Sequence, residues 1–206
     1  MWDRVLAIGA HPDDIEFGCG GALLRHAAQG ASITLVVMSD GARGGDTTER
    51  AAEQAQAAAM LGAKVVMLQL PDGRLGELPH LVALLEAEIA NVDPDLVYTH
   101  LPEDTHQDHV QTHQAMRIAT RNLSSVLLFE SPRSPLLSSG IAVDISTVVG
   151  RKADLLSAHV SQVKDRRELS DEAVRARALL HGTRFGYDYA EVFTPLRFGL
   201  PFGPVM

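Results

Sequence analysis

Val5-Leu6-Ala7-Ile8 runs straight into Ala10-His11-Pro12-Asp13-Asp14, and Cys19-Gly20-Gly21-Ala22-Leu23-Leu24 follows. The order is an apolar strand, a tight polar loop and then a helix. A histidine and two carboxylates at the C-terminal mouth of a strand are poor core material and good metal-site material. His11 and Asp14 lie three apart across a proline that stiffens the loop, so they can converge on one ion. Asp13, between them, then faces a water whose pKa a zinc-type ion lowers to about 7, and can act as its general base. The competing account is that Asp13 and Asp14 cap the following helix, where aspartate is favoured. A partner elsewhere in the chain has to decide.

Working outward, the strand-loop-helix unit repeats. Cys19 to Gln29 is apolar on one helical face and stops at Gly30. Ser32 to Met38 suits a strand buried on both faces. It opens into Ser39 to Asp46, whose glycines match no phosphate loop or dinucleotide fingerprint. Thr47 to Leu61 reads as a helix with Arg50 and Glu53 in its first turns, an i,i+3 pair of surface type near the loop edge. Lys64 to Leu70 is a strand, Pro71-Asp72-Gly73 a turn, His80 to Asn91 a helix and Asp95 to His100 a fourth strand. Such alternation predicts right-handed crossovers and a Rossmann-like α/β fold, a mostly parallel sheet flanked by helices in three layers. In that sheet the first and fourth strands are neighbours, and ligands bind at the switch point between their C-terminal ends.

Beyond, Val110 to Arg121 continues a helix, Ser125 to Phe129 is a fifth strand, and residues 130–140 form a loop near the pocket mouth. Ile141 to Ile145 is read as a short edge strand, Val148 to Val163 as one helix with His159 packed on it, and Asp165 to Leu180 as a charged helix ended by His181-Gly182. The apolar tail from Tyr187 to Met206 is expected to pack on its own domain or on a second copy of the chain.

The 206 residues fit one domain spanning 1–206. A net charge of −8 argues against a nucleic-acid partner, because phosphate binding needs a basic face. No apolar run approaches the ~20 residues that span a bilayer. Met1-Trp2-Asp3-Arg4 enters the first strand without a signal-type leader, so a cytoplasmic location is expected. The single Cys19 rules out an internal disulfide framework and a thiolate-rich zinc site, and is read as a small residue packed at a helix start.

The partner for His11 and Asp14 follows the fourth strand. His100-Leu101-Pro102-Glu103-Asp104-Thr105-His106-Gln107-Asp108-His109-Val110-Gln111-Thr112-His113 holds four of the nine histidines. His106 and His109, nearest the strand end, are better placed for the crevice than His113, a turn deeper. Glu103 and Asp104 receive no role.

These residues resemble the LmbE-like/PIG-L family of metal-dependent de-N-acetylases. The likeness rests on Ala10-His11-Pro12-Asp13-Asp14 with Glu16 and Gly20-Gly21, and on His106-Gln107-Asp108-His109. Asp40-Gly41, Arg50 with Glu53, Leu70-Pro71-Asp72-Gly73, His159-Val160-Ser161-Gln162 and Tyr189-Ala190-Glu191-Val192-Phe193 extend it through most of the chain. The resemblance implies one divalent metal, zinc first and iron(II) second, on His11, Asp14 and His109. It implies Asp13 as general base and then acid, His106 as stabiliser of the oxyanion, Asp108 as the carboxylate orienting His106, and Arg50 and Asp72 as sugar contacts. The implied substrate is a small N-acetylated sugar conjugate of the N-acetylglucosamine type. A metal-dependent hydrolase of another amide or ester, and a non-catalytic sugar- or nucleotide-binding module, stand as the alternatives.

Overall fold

The computed structural model describes residues 2–199. Its strands are β1 (Arg4–Gly9), β2 (Ser32–Ser39), β3 (Lys64–Leu70), β4 (Leu96–His100), β5 (Ser125–Phe129), β6 (Ile141–Asp144) and β7 (Ala190–Phe198). The helices are α1 (Asp14–Ala28), α2 (Thr47–Leu61), α3 (Leu78–Val92), α4 (Gln107–Ala119), α5 (Val149–Ser157), α6 (Val160–Val163) and α7 (Asp171–Phe185). One seven-stranded sheet runs in the order β3-β2-β1-β4-β5-β7-β6. Its first five strands are parallel, and β7 lies antiparallel to both β5 and β6.

Strand alternation divides the core between the two faces of the sheet. Val5 and Ala7 pack with Leu23 of α1 and Leu155 of α5. Leu6 and Ile8 pack on the other face with Leu81 of α3 and Met116 of α4. Each such buried aliphatic side chain contributes about 1.5–3 kcal/mol. This is the expected three-layer α/β arrangement, and it sets the ends of β1 and β4 side by side. No helix of the described residues is long and apolar enough to cross a membrane.

Four details differ from the sequence reading. Helix α1 starts at Asp14 rather than near Cys19. Its glycines do not delay the helix; they admit close packing, since a Cβ on Gly18 would overlap the Phe129 ring. The helix expected over Val148 to Val163 breaks after Ser157, where His159 leaves helical geometry and turns onto Glu16. Helix α7 starts after Ser170, whose side chain accepts the Ala173 N–H, and passes through Gly182 to a left-handed Gly186. Gly182 is there for room, because a Cβ would meet the carbonyls of Tyr187 and Asp188.

The fourth difference is β7, part of the segment read only as an apolar tail. Pro195, which argues against a strand, sits opposite Leu127 where the β5–β7 register shifts, so the missing N–H falls at an irregularity. This portion of the tail packs within its own sheet, while residues 200–206 of that expectation lie outside the described residues.

Candidate metal centre

The loop after β1 closes on itself through the His11 N–H, which donates to Asp14 Oδ2 at 2.7 Å. Asp13 pays for this tight closure with a left-handed backbone, φ 101°, a strain of about 1–3 kcal/mol for a non-glycine residue. Its side chain caps nothing in α1, which disposes of the capping account for this residue. The carboxylate instead lies 3.6 Å from Arg50 Nη2 and 3.4 Å from Arg166 Nη1. Burial and the charge of Asp14 raise its pKa to about 6, against the opposing pull of Arg50, His159 and Arg166.

Among the described residues, three groupings of side chains bring ligand atoms within 4.8 Å: His11 with His106 and His109, Asp14 with His100 and His109, and His11 with Asp72 and Asp108. The expected trio of His11, Asp14 and His109 draws on the first two of these. His11 Nδ1 and His109 Nε2 are 3.3 Å apart, and the Asp14 oxygens lie 3.3 Å from the first and 3.2 Å from the second. Two ligands of a tetrahedral ion with bonds of about 2.0–2.1 Å are about 3.3 Å apart, which is the separation of the two nitrogens; the Asp14 distances run to different oxygens, Oδ2 to His11 and Oδ1 to His109. The far nitrogens face carboxylates: His11 Nε2 lies 3.2 Å from both Asp72 Oδ1 and Asp108 Oδ2, and His109 Nδ1 lies 2.9 Å from Asp104 Oδ2. Protons on those outer nitrogens leave the inner lone pairs aimed at a common point.

Electrostatics agree with a cation there. Burial alone would lower the pKa values of both histidines, but for His11 the carboxylates of Asp108, Asp14 and Asp72, and for His109 those of Asp14 and Asp104, outweigh it; His109 rises to about 9. Burial acts the other way on Asp72, yet its contact with His11 brings it down to about 2.

His100 is close but differently employed. Its Nε2 accepts the Ala10 N–H at 3.0 Å, burial brings its pKa down to about 4, and its ring stacks on His109 at 4.1 Å. It is a neutral platform beneath His109 whose inward lone pair is already used. His113 Nδ1 is bonded to the His100 carbonyl at 2.9 Å, a packing role.

His106 is the N-cap of α4, with Nδ1 accepting the Asp108 backbone N–H at 3.3 Å. That places the proton on Nε2, a neutral donor; burial and then His11 and His109 lower its pKa. Here the structure departs from the expectation for Asp108. Its carboxylate does not reach the His106 ring; Oδ2 takes the Gly73 N–H at 2.7 Å and faces His11 Nε2. The start of α4 turns the Asp108 amide toward His106 and its side chain across to the β3 turn.

Arg50 and Asp72, expected as sugar contacts, line the same cavity of about 200 Å³ but are largely engaged within the protein. Arg50 donates to the Gly41 and Pro12 carbonyls at 2.8 and 2.6 Å, so it braces the loop that carries Asp13. Asp72 Oδ2 accepts the Arg43 N–H at 2.9 Å while Oδ1 faces His11. Asp104 is the residue that sequence reasoning passed over. Its signal was present: a ligand histidine commonly donates its second nitrogen to a carboxylate, and Asp104 lies in the loop that leads into α4, close before His109.

The fold and site together are a Rossmann-like α/β sheet that carries at its switch point histidines and an aspartate able to hold a metal ion, beside a buried carboxylate, Asp13, on a strained backbone. The GlcNAc-PI de-N-acetylase (PIG-L) family model matches residues 6–120, and the chain belongs to that family. It is 40% identical over 136 residues to the uncharacterized deacetylase YaiS of Escherichia coli (strain K12), covering 62% of this chain and 74% of YaiS. Diacetylchitobiose deacetylase of Thermococcus kodakarensis is 27% identical across 91% of this chain and 81% of its own. Among solved structures, the conserved protein TT1542 of Thermus thermophilus superposes with a TM-score of 0.86 at 27% identity, over 98% of each chain.

Proposed function

We propose that the chain is a metal-dependent hydrolase that removes the N-acetyl group from an N-acetylglucosamine-type sugar conjugate, releasing acetate and a free amine. The observation that carries this reading is Asp13, a buried, non-capping carboxylate held in a strained backbone beside the three convergent donors. A site that only binds has no use for such a group. The deacetylase names of the two sequence relatives supply the reaction class.

His11 Nδ1, His109 Nε2 and Asp14 would hold the divalent metal, zinc or iron(II) by donor type. When bound, that ion supplies the positive charge that polarises an acetyl carbonyl and acidifies a water. Asp13 takes a proton from the attacking water as its oxygen bonds to the acetyl carbon. It returns that proton to the nitrogen as the C–N bond breaks. The His106 Nε2–H, on the open side of the pocket, donates to the carbonyl oxygen as charge develops there. Asp72, Asp108 and Asp104 keep the two metal-binding imidazoles in the required tautomers.

Hydrolysis of a different amide or an ester uses the same groups, so the substrate decides between the readings. Asp13→Asn is the test: acetate release from N-acetylglucosamine conjugates should fall by about a hundredfold or more while metal content is retained. Undiminished turnover in that variant overturns the assignment.

A further inference from the structure

Glu130 follows β5 directly, at the sheet end that carries His11 and His109, yet it does not border the metal cavity. Its carboxylate is held by α7 instead. Oε2 accepts from Arg177 Nη1 at 2.8 Å and from His181 Nε2 at 3.0 Å, while Oε1 accepts the Leu137 N–H. Burial pushes the Glu130 carboxyl up, but His181, the Leu137 amide and Arg177 together bring it below its ordinary range. The cluster is not a second binding site. The cavity it lines with Phe17 and Lys152 measures about 20 Å³, room for one water.

What the cluster holds is the segment 131–137. Its turn closes on itself, with the Ser131 N–H on Ser134 Oγ at 3.0 Å and the Ser134 N–H on Ser131 Oγ at 3.2 Å. Glu130 grips the far end at Leu137, and Arg177 Nη2 reaches the Pro132 carbonyl at 3.4 Å. Arg133 and Glu168 add an ion pair at 4.0 Å, but their side chains are 77% and 36% exposed, so it contributes little. The segment in turn walls the site. Pro132 borders the metal cavity, and Ser131 and Pro132 border an adjoining cavity of about 250 Å³ with Asp104, His106 and His109. Burial also pushes the Asp104 carboxyl up, yet hydrogen bonds from His109 and then from the Ser131 hydroxyl hold it below its ordinary range.

Resting on the metal-site reading, we propose that Glu130 is a positioning residue: gripped by Arg177 and His181, it fixes Ser131 against Asp104 and through Asp104 orients the His109 imidazole. The distance in sequence from α7 to His109 is bridged by three side chains, each in contact with the next.

The test measures zinc affinity by competition against a chelator in the parent, Glu130→Gln, Asp104→Ala and the double variant. Glu130→Gln should weaken zinc binding about three- to tenfold, less than the roughly 10–100-fold expected of a carboxylate that bonds a ligand histidine directly. In the Asp104→Ala background the same change should have no further effect, within about twofold, because the link to His109 is already cut. Unchanged affinity in Glu130→Gln overturns the proposal. So does an equal loss in both backgrounds, which is what a merely structural anchor would give. Where Glu130→Gln does not fold, Arg177→Gln, at the partly exposed end of the cluster, takes its place in the same cycle with the same expectations. Proton NMR of the metal-free protein supplies the second readout. The His109 Nδ1–H, bonded to Asp104, should exchange with water at least about threefold faster in Glu130→Gln than in the parent, and equal exchange overturns the proposal. A parent chain that binds no zinc is the separate failure of the metal-site reading, and the exchange comparison then decides the role of Glu130.

Discussion

Asp104 bonds two histidines of the pocket at once: Oδ2 pairs with His109 Nδ1 at 2.9 Å, and Oδ1 accepts the His106 backbone N–H at 2.9 Å. One carboxylate thus sets the tautomer of the His109 imidazole and the position of the ring beside it. Asp104→Ala should lower metal affinity about 10–100-fold, measured by competition against a chelator. Asp104→Asn, which keeps an acceptor, should recover part of that loss. Equal affinity in all three proteins would mean that Asp104 does not orient His109.

His11 differs in having two carboxylates on its outer nitrogen, each at 3.2 Å. Each therefore covers in part for the other. Asp72→Ala should cost less metal affinity than Asp104→Ala, and Asp72→Ala with Asp108→Ala together should cost more than the sum of the two single losses. Strict additivity in that double-mutant cycle would contradict shared orientation.

Away from the pocket, the ammonium of Lys152 and the carboxylate of Glu191 meet in the core and reach into α1. Lys152 donates to the Phe17 carbonyl, and Glu191 accepts the Gly21 and Ala22 amides at 2.8 and 2.7 Å. Lys152→Met leaves a buried carboxylate without its cation and should lower stability by about 3–5 kcal/mol in denaturant unfolding. Adding Glu191→Gln should return part of that loss, because the uncompensated charge is then gone.

Burial beside Tyr98 brings the His26 pKa down to about 4, from an ordinary 6.5. The unfolded chain then binds a proton that the folded chain refuses. Stability from this residue is complete above about pH 6.5 and is lost as pH falls from there toward about 4. His26→Gln should lose less stability over that interval than the parent protein, by on the order of 2 kcal/mol. Parallel pH profiles for the two proteins would contradict the assignment.

The parallel half of the fold was legible because its strands are continuous apolar runs between turn residues, a pattern that survives without tertiary information. The switch point followed from the strand order, and with it the pairing of His11 with the His106–His109 stretch. What could not be read depends on contacts distant in sequence. Gly18 and Gly182 look like helix breakers until the Phe129 ring and the Tyr187 carbonyl are set against them. Pro195 disguised β7 because only the register shift beside Leu127 shows why it is tolerated. Within the site the residue types were visible, but the direction of each carboxylate was not. Asp108 turns to His11, and Asp104 to His109, because of how α4 begins beside the β3 turn.

The most direct measurement is metal analysis of the purified chain paired with acetate release from N-acetylglucosamine conjugates, before and after chelation. The account predicts about one divalent metal per chain, acetate release that disappears with the chelator, and its return when metal is restored. Acetate release that persists after the metal has been stripped, or a chain that retains no divalent metal on reconstitution, would contradict it.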